Sequence, residues 1–217
     1  MRMDTGVCVL HLFCSAEGHV DREAASAAIA TAEAAGCQVV TAAMLGHRGE
    51  IGVMIIGADV AAVRGLQVGL SRAGLTIRDS YLSITEVSEY ARGLPEEALR
   101  ERLYPQLPPA GKPAFCFYPM SKRREAHANW YATPFEERTA MMMEHGKSGR
   151  TFAGRIVQLV TASTGLDTHE WGVTLFGESI EVIKDVVYTM RFDRGSALYG
   201  EFGEFYVGYL AHLHDLV

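Results

Sequence analysis

Apolar residues in this chain switch between the two-residue period of a strand and the roughly 3.6-residue period of a helix, and they do so in the same order twice. Residues 6–14, Gly-Val-Cys-Val-Leu-His-Leu-Phe-Cys, form an apolar run rich in strand formers. Asp21 then caps an alanine-rich segment that stops at Gly36, the signature of a helix. Residues 38–45 and 50–57 read as two strands joined by a turn at 46–49. From Asp59 to Gly74 the spacing is helical, with Val63, Leu66 and Leu70 on one face, and residues 75–88 alternate as a long strand.

The second half repeats the order. Residues 113–119 read as a strand. Thr133-Pro134-Phe135-Glu136 has the pattern of a capping box with proline at the first helical position, which predicts a helix to about Gly149. Residues 154–162 and 170–177 are strands around a turn containing Gly165, Ser179 to about Arg191 has helical spacing, and Gly203 to Leu210 closes with a strand. Each half is therefore β-α-β-β-α-β, the ferredoxin-like unit. The fold class expected is α+β, with two fused ferredoxin-like halves over 1–95 and 113–217. Pro105, Pro108 and Pro109 make 96–112 a connector. Two sheets with one apolar face each can pack as a barrel or a sandwich with the helices outside.

A net charge of −6 argues against nucleic acid and anionic membranes as general partners. The charge is uneven, however. Between Arg100 and Arg124 six cations face a single anion, which reads either as a solvated basic loop or as a site for a defined anionic ligand. The four cysteines show no CxxC spacing, and three sit in apolar runs, so they read as small buried hydrophobes rather than a disulfide or zinc framework. No window reaches the length of a membrane span and no leader pattern precedes the first strand, so a reducing cytoplasm is the expected location and stable membrane insertion is not expected.

Individual residues carry two readings each. His145 is either a histidine near a helix C-terminus, favoured by the dipole, or a neutral imidazole that ligates a metal with its other nitrogen held by a hydrogen bond. Tyr118 is either a core tyrosine with a tethered hydroxyl or a phenol that gives up an electron. Gln158 stands alone among apolar strand neighbours, as a polar residue satisfied inside a barrel or as an amide facing a ligand. Lys122 and its neighbouring arginines are exposed ion-pair partners or anchors for carboxylates.

The run Tyr118-Pro119-Met120-Ser121-Lys122-Arg123-Arg124, followed 27 positions after its tyrosine by His145 in Glu144-His145-Gly146, resembles the signature of the coproheme decarboxylases, a branch of the chlorite dismutase superfamily. Asn129-Trp130-Tyr131, Gly149-Arg150, the stretch from Glu170 to Phe176 and that from Tyr199 to Gly203 are similar too, so the strong resemblance covers about residues 100–210. Asp79-Ser80-Tyr81 and Glu86-Val87-Ser88-Glu89-Tyr90 extend it more loosely into the first half.

The resemblance implies a closed dimeric α+β barrel assembled as a homopentamer. It implies iron-coproporphyrin III (coproheme) as substrate and redox cofactor at once, hydrogen peroxide as oxidant, haem b as product, and transient contact with a coproporphyrin ferrochelatase. It makes His145 the iron ligand, Tyr118 the radical residue and Lys122 the residue that steers the reacting propionate. Met120 and Gln158 would form the distal wall, and Arg102, Ser121, Arg191 and Ser196 would anchor propionates. True chlorite dismutases carry a distal arginine where this chain has Gln158. Another haem oxidoreductase of the same fold, a non-catalytic haem carrier and a ligand-free interaction module are the alternatives.

Overall fold

The computed structural model describes residues 4–46, 48–91 and 93–217, so His47 of the first turn lies outside the described residues. The first unit comprises β1 (Thr5–Ser15), α1 (Arg22–Ala34), β2 (Gln38–Leu45), β3 (Ile51–Gly57), α2 (Val60–Arg72) and β4 (Thr76–Glu86). The connector holds a one-turn helix at Glu89–Ala91 and α3 (Glu96–Leu103). The second unit runs β5 (Ala114–Lys122), a small hairpin of β6 (Arg124–Glu125) and β7 (Ala128–Asn129), α4 (Phe135–Arg150), β8 (Ile156–Ala162), β9 (Trp171–Gly177), α5 (Ile180–Met190), α6 (Arg194–Ala197), β10 (Gly200–Phe202) and β11 (Tyr206–Leu210).

Caps explain three of the helix starts. The carboxylates of Asp21 and Asp59 and the hydroxyl of Ser179 accept backbone N–H groups in the first turns of α1, α2 and α5. The capping box expected at α4 does not form. Thr133 donates its hydroxyl to the Asn129 carbonyl at 2.9 Å instead, because Asn129 organises the turn after β7 and draws Thr133 back. Pro134 takes the cap position with no side-chain bond.

Among the described residues the main sheet has nine strands in the order β10-β5-β11-β2-β3-β1-β4-β8-β9, and a further β5–β9 pairing closes it. Eight strands form the ring and β10 extends the end of β5. Within the ring each unit keeps the ferredoxin-like order, and the units join at two seams, β2 to β11 and β4 to β8. Every named pair is antiparallel, and the barrel, rather than a sandwich, is the outcome.

Strand alternation divides the apolar residues. Val9, Phe13, Met54, Tyr81, Phe117, Phe176 and Tyr206 fill the barrel. His11 lies among them, stacked on Phe117 at 4.1 Å with Nε2 2.9 Å from the Thr174 hydroxyl. Burial lowers its pKa to about 3, so it is a neutral core residue. On the outer face of the first sheet, Leu10, Leu12 and Ile55 pack with Leu66 and Leu70, each buried side chain contributing about 1.5–3 kcal/mol. There α1 and α2 lie so close that a Cβ on Gly69 would stand 2.6 Å from that of Ala28.

The second unit packs differently. Cys116, Val173 and Leu175 pack with Val182, Ile183 and Val186 of α5. The main contacts of α4 are with α5, α6 and the connector turn, and its single buried residue is Met141. This helix stands off the sheet of its own unit, whereas its counterpart α1 helps to cover the sheet of the first.

Candidate active site

Register fixes which candidates share a face. Tyr118 pairs with Val173, and Val173 with Val160; Cys116 pairs with Leu175, and Leu175 with Gln158; Met120 pairs with Trp171, and Trp171 with Ala162. Directly opposed residues point the same way, so Tyr118, Met120 and Gln158 share the outer face of β5-β9-β8. Lys122 joins them, four residues and about 13 Å along the strand from Tyr118. Gln158 is not inside the barrel: it is exposed, and beside it Val160 is 41% exposed. An apolar strip of sheet is left uncovered there.

His145 projects from α4 toward the α5–α6 corner. Its Nδ1 lies 3.0 Å from Asp193 Oδ2. A carboxylate only accepts, so Nδ1 carries the proton and Nε2 is the free ring nitrogen. Asp193 is 5% exposed, takes the Ser148 hydroxyl at 2.6 Å on its other oxygen, and caps α6 through its carbonyl. Burial lowers the pKa of His145, Asp193 opposes that, and the charge of Lys122 reinforces it. The imidazole is therefore neutral and oriented. Among the described residues no three His, Cys, Asp or Glu side chains converge as a metal cage, so a metal on His145 needs other ligands brought with it.

Lys122 is 8% exposed. Its Nζ donates to the Gly195 carbonyl at 2.6 Å and lies 4.6 Å from the centre of the Trp130 ring. Burial lowers its pKa to about 8, against the opposing pull of Glu170. Glu170, itself 7% exposed, accepts the Lys122 backbone N–H at 2.8 Å.

Tyr118 is buried at 8% exposure, stacked on Phe205 at 4.4 Å and tilted against Phe202 at 5.9 Å. Burial pushes its phenol well above the usual range, Cys116 adds to this, and Arg191 opposes it. The phenol is neutral, so its oxidation must release a proton together with the electron. Arg191 lies over the Phe202 ring at 3.7 Å, which places it near Tyr118.

The remaining candidates are less closely gathered. Ser196 sits in α6 beside Gly195, its N–H bonded to the Asp193 carbonyl at 2.9 Å. Ser121 alternates away from Met120 and Lys122, and its hydroxyl accepts the Glu170 N–H at 3.2 Å. Arg102 is exposed on α3, and no hydrogen bond or ion pair among the described residues joins it to the cluster. Three residues given no role from sequence belong to the site's frame: Asp193 behind His145, Glu170 behind Lys122, and Trp130 beneath the Lys122 ammonium. Buried acids in Arg-Phe-Asp and Glu-Trp-Gly were the available signals.

An eight-stranded ring of two ferredoxin-like units, with an uncovered outer face opposite a standing-off helix, defines a dimeric α+β barrel. The chain belongs to the chlorite dismutase family, whose model matches residues 20–211. It is 30% identical to a heme-binding protein from Thermus thermophilus, over 99% of this chain and 94% of that one, with a TM-score of 0.88. A mutant chlorite dismutase from Candidatus Nitrospira defluvii is 18% identical over 98% and 94%, with a TM-score of 0.76. A protein described as putative chlorite dismutase TA0507 is 18% identical over 97% of each chain, with a TM-score of 0.78. At 18% identity these last two likenesses concern the fold.

Proposed function

We propose that the chain holds an iron porphyrin between α4 and the outer face of β5-β9-β8, with Nε2 of His145 as the iron ligand, and that it converts two propionates of coproheme into the vinyls of haem b. The observation that carries this reading is the sharing of one outer sheet face by a neutral buried phenol, Tyr118, and a buried ammonium, Lys122, whose charge also acts on His145, beside the exposed strip at Gln158 and Val160. The donor set fits a porphyrin: one oriented imidazole with a free nitrogen, no cluster of three or more His, Cys, Asp or Glu side chains able to cage a metal among the described residues, and an apolar strip lacking cover. Gly146 and Gly149 add to the fit, since a Cβ on either would meet nothing nearer than 3.5 Å and the fold itself gives no packing reason for them.

Each propionate loses carbon dioxide, two electrons and one proton from its β-carbon, while peroxide takes up the two electrons, that proton and a second proton from solvent and becomes two waters. The bound iron supplies the reduction of peroxide. Tyr118 passes on one electron with its own proton and regains a hydrogen atom from the propionate β-carbon, which its desolvated neutral state favours. Lys122 swings from the Gly195 carbonyl to hold the reacting carboxylate ionised. Phe202 and Phe205 keep water from the phenol. Met120 and Gln158 line the far wall, and Gln158, a neutral amide, supplies neither the base nor the fixed cation that fast peroxidase or chlorite turnover requires. Arg102, Arg191 and Ser196 anchor the other propionates, whereas Ser121, turned to the opposite face of the strand and bonded to the Glu170 N–H, does not.

A second reading, binding without catalysis, is favoured by the relative described as a heme-binding protein. The experiment is a stepwise peroxide titration of the coproheme complex, with porphyrins followed by mass spectrometry, on the native chain and Tyr118→Phe. The native chain is expected to give three-propionate and then two-propionate products, and the variant to keep its coproheme intact. Haem b from the variant would remove Tyr118 from the mechanism, and intact coproheme in both would favour the carrier.

A further inference from the structure

We propose that the ion pair between Glu89 and Arg138 is a positioning clamp that holds α4 at its working distance from the sheet, and so sets His145 and Lys122 against the porphyrin. The inference rests on His145 being the iron ligand. Neither Glu89 nor Arg138 touches the reacting atoms; both act through others.

The helix that carries His145 has few attachments. Its first turn lacks a side-chain cap, and Met141 is its single buried residue. Arg138 supplies what those features leave out. One guanidinium nitrogen donates to Glu89 Oε1 at 2.8 Å and to the Tyr90 hydroxyl at 2.9 Å. Both charged side chains are 16% exposed. The guanidinium carbon lies 5.5 Å from the centre of Phe135, 5.9 Å from that of Tyr90 and 6.0 Å from that of Trp130. A solvated pair would do little; this one is desolvated and enclosed by aromatic rings.

Placement gives the pair its reach. Arg138 and His145 are seven residues apart, two helical turns, so they leave α4 on the same face about 10 Å from each other. Arg138 ties one end of that face to the connector leaving β4, and His145 ties the other to Asp193. Trp130 couples the clamp to the chemistry, because the same ring takes both Arg138 and the Lys122 ammonium. A shift of Arg138 would therefore reach the iron ligand through α4 and the reacting carboxylate through Trp130.

The test compares the native chain with Glu89→Gln, Arg138→Met, Arg138→Lys and His145→Ala. It reads amide exchange over 135–150 without ligand, ferric haem b binding, and the iron–histidine stretching band of the ferrous complex. Glu89→Gln and Arg138→Met are expected to speed exchange in α4, weaken haem b at least tenfold and shift or broaden the band. Arg138→Lys should restore these in part, since it keeps the charge but not the planar fork. A merely stabilising pair would leave the band of the folded complex unmoved. Native affinity with an unchanged band in both variants would overturn the clamp while His145→Ala still loses the band. Retention of the band in His145→Ala would instead overturn the ligand assignment, and α4 exchange would then decide alone whether the pair holds the helix. Should Glu89→Gln not fold, Tyr90→Phe, which removes one acceptor, carries the same three readouts, and each result counts for or against the clamp in the same way.

Discussion

Asp193→Ala deprives two donors of their acceptor at once, the His145 Nδ1–H at 3.0 Å and the Ser148 hydroxyl at 2.6 Å. Loss of such a partner behind a metal-binding histidine weakens the metal about 10- to 100-fold, or about 1.4–2.8 kcal/mol. The ligand-free protein should lose about 1–3 kcal/mol for the donors left unpaired, nearer the lower end because the His145 side chain is 27% exposed and water can reach it. Asp193→Asn separates charge from geometry: it keeps an acceptor for Nδ1–H, so stability should mostly return while ligand basicity does not.

The pH dependence has a definite sign. The folded pKa of His145 lies below the ordinary 6.5, so the unfolded chain binds more protons in that interval. Stability is full above about 6.5 and declines as pH falls toward the folded value, whereas iron binding by the folded chain declines only as pH falls through that lower folded value. Asp193 opposes the lowering, so Asp193→Asn should move the acid limb of binding to still lower pH. Haem b titrations followed at the Soret band from about pH 5 to 8, the range in which histidine changes charge, with urea unfolding of the ligand-free chains, measure both effects. Native affinity in Asp193→Ala, or an acid limb that moves upward in Asp193→Asn, would refute the reasoning.

Two other substitutions probe the same cleft. Lys122 has a folded pKa of about 8, lowered from 10.5; its charge is lost as pH rises through that value, so coproheme turnover should fall there, and Lys122→Arg should carry turnover to higher pH. A native profile flat to about pH 10, near the ordinary lysine value, would contradict the role given to Lys122. Gly146→Ala should stabilise the ligand-free chain by about 0.5–1 kcal/mol in urea unfolding, because the new Cβ would meet only Arg150 Nη1 at 3.6 Å. It should weaken haem b binding, and unchanged binding would show that nothing approaches that side of α4.

Local rules were legible wherever they acted locally. Asp21 could be named as a cap, and Asp59 and Ser179 as the starts of helical spacing, because a helix start needs only its own next few residues. Thr133 had the same pattern and failed because Asn129 competed for its hydroxyl. The connector helix α3 carried its signals in Pro95-Glu96-Glu97 and Arg100-Glu101-Arg102, yet four prolines in the linking region made it read only as an ordered connector, with no helix named. Gln158 shows a deeper limit. Period two tells which residues share a face, and not which face is the core. In Ile156-Val157-Gln158-Leu159-Val160 both faces are apolar, one packed in the barrel and the other on the uncovered strip. The His145–Asp193 and Lys122–Gly195 contacts join residues 48 and 73 positions apart and arise only on folding.

The unequal packing of the two units bears on how the molecule comes apart. In the first unit the space between helices and sheet is filled by the chain's own leucines and alanines, and that layer should open only with the whole barrel. In the second, α4 gives up one side chain to the interior and leans on its neighbours. It is the segment whose opening costs least, and a guest that bridges it to the strands should merge that opening with global unfolding. Occupancy would thus be written into cooperativity: without ligand, two steps on heating, the first confined to the helix bearing His145; with ligand, one.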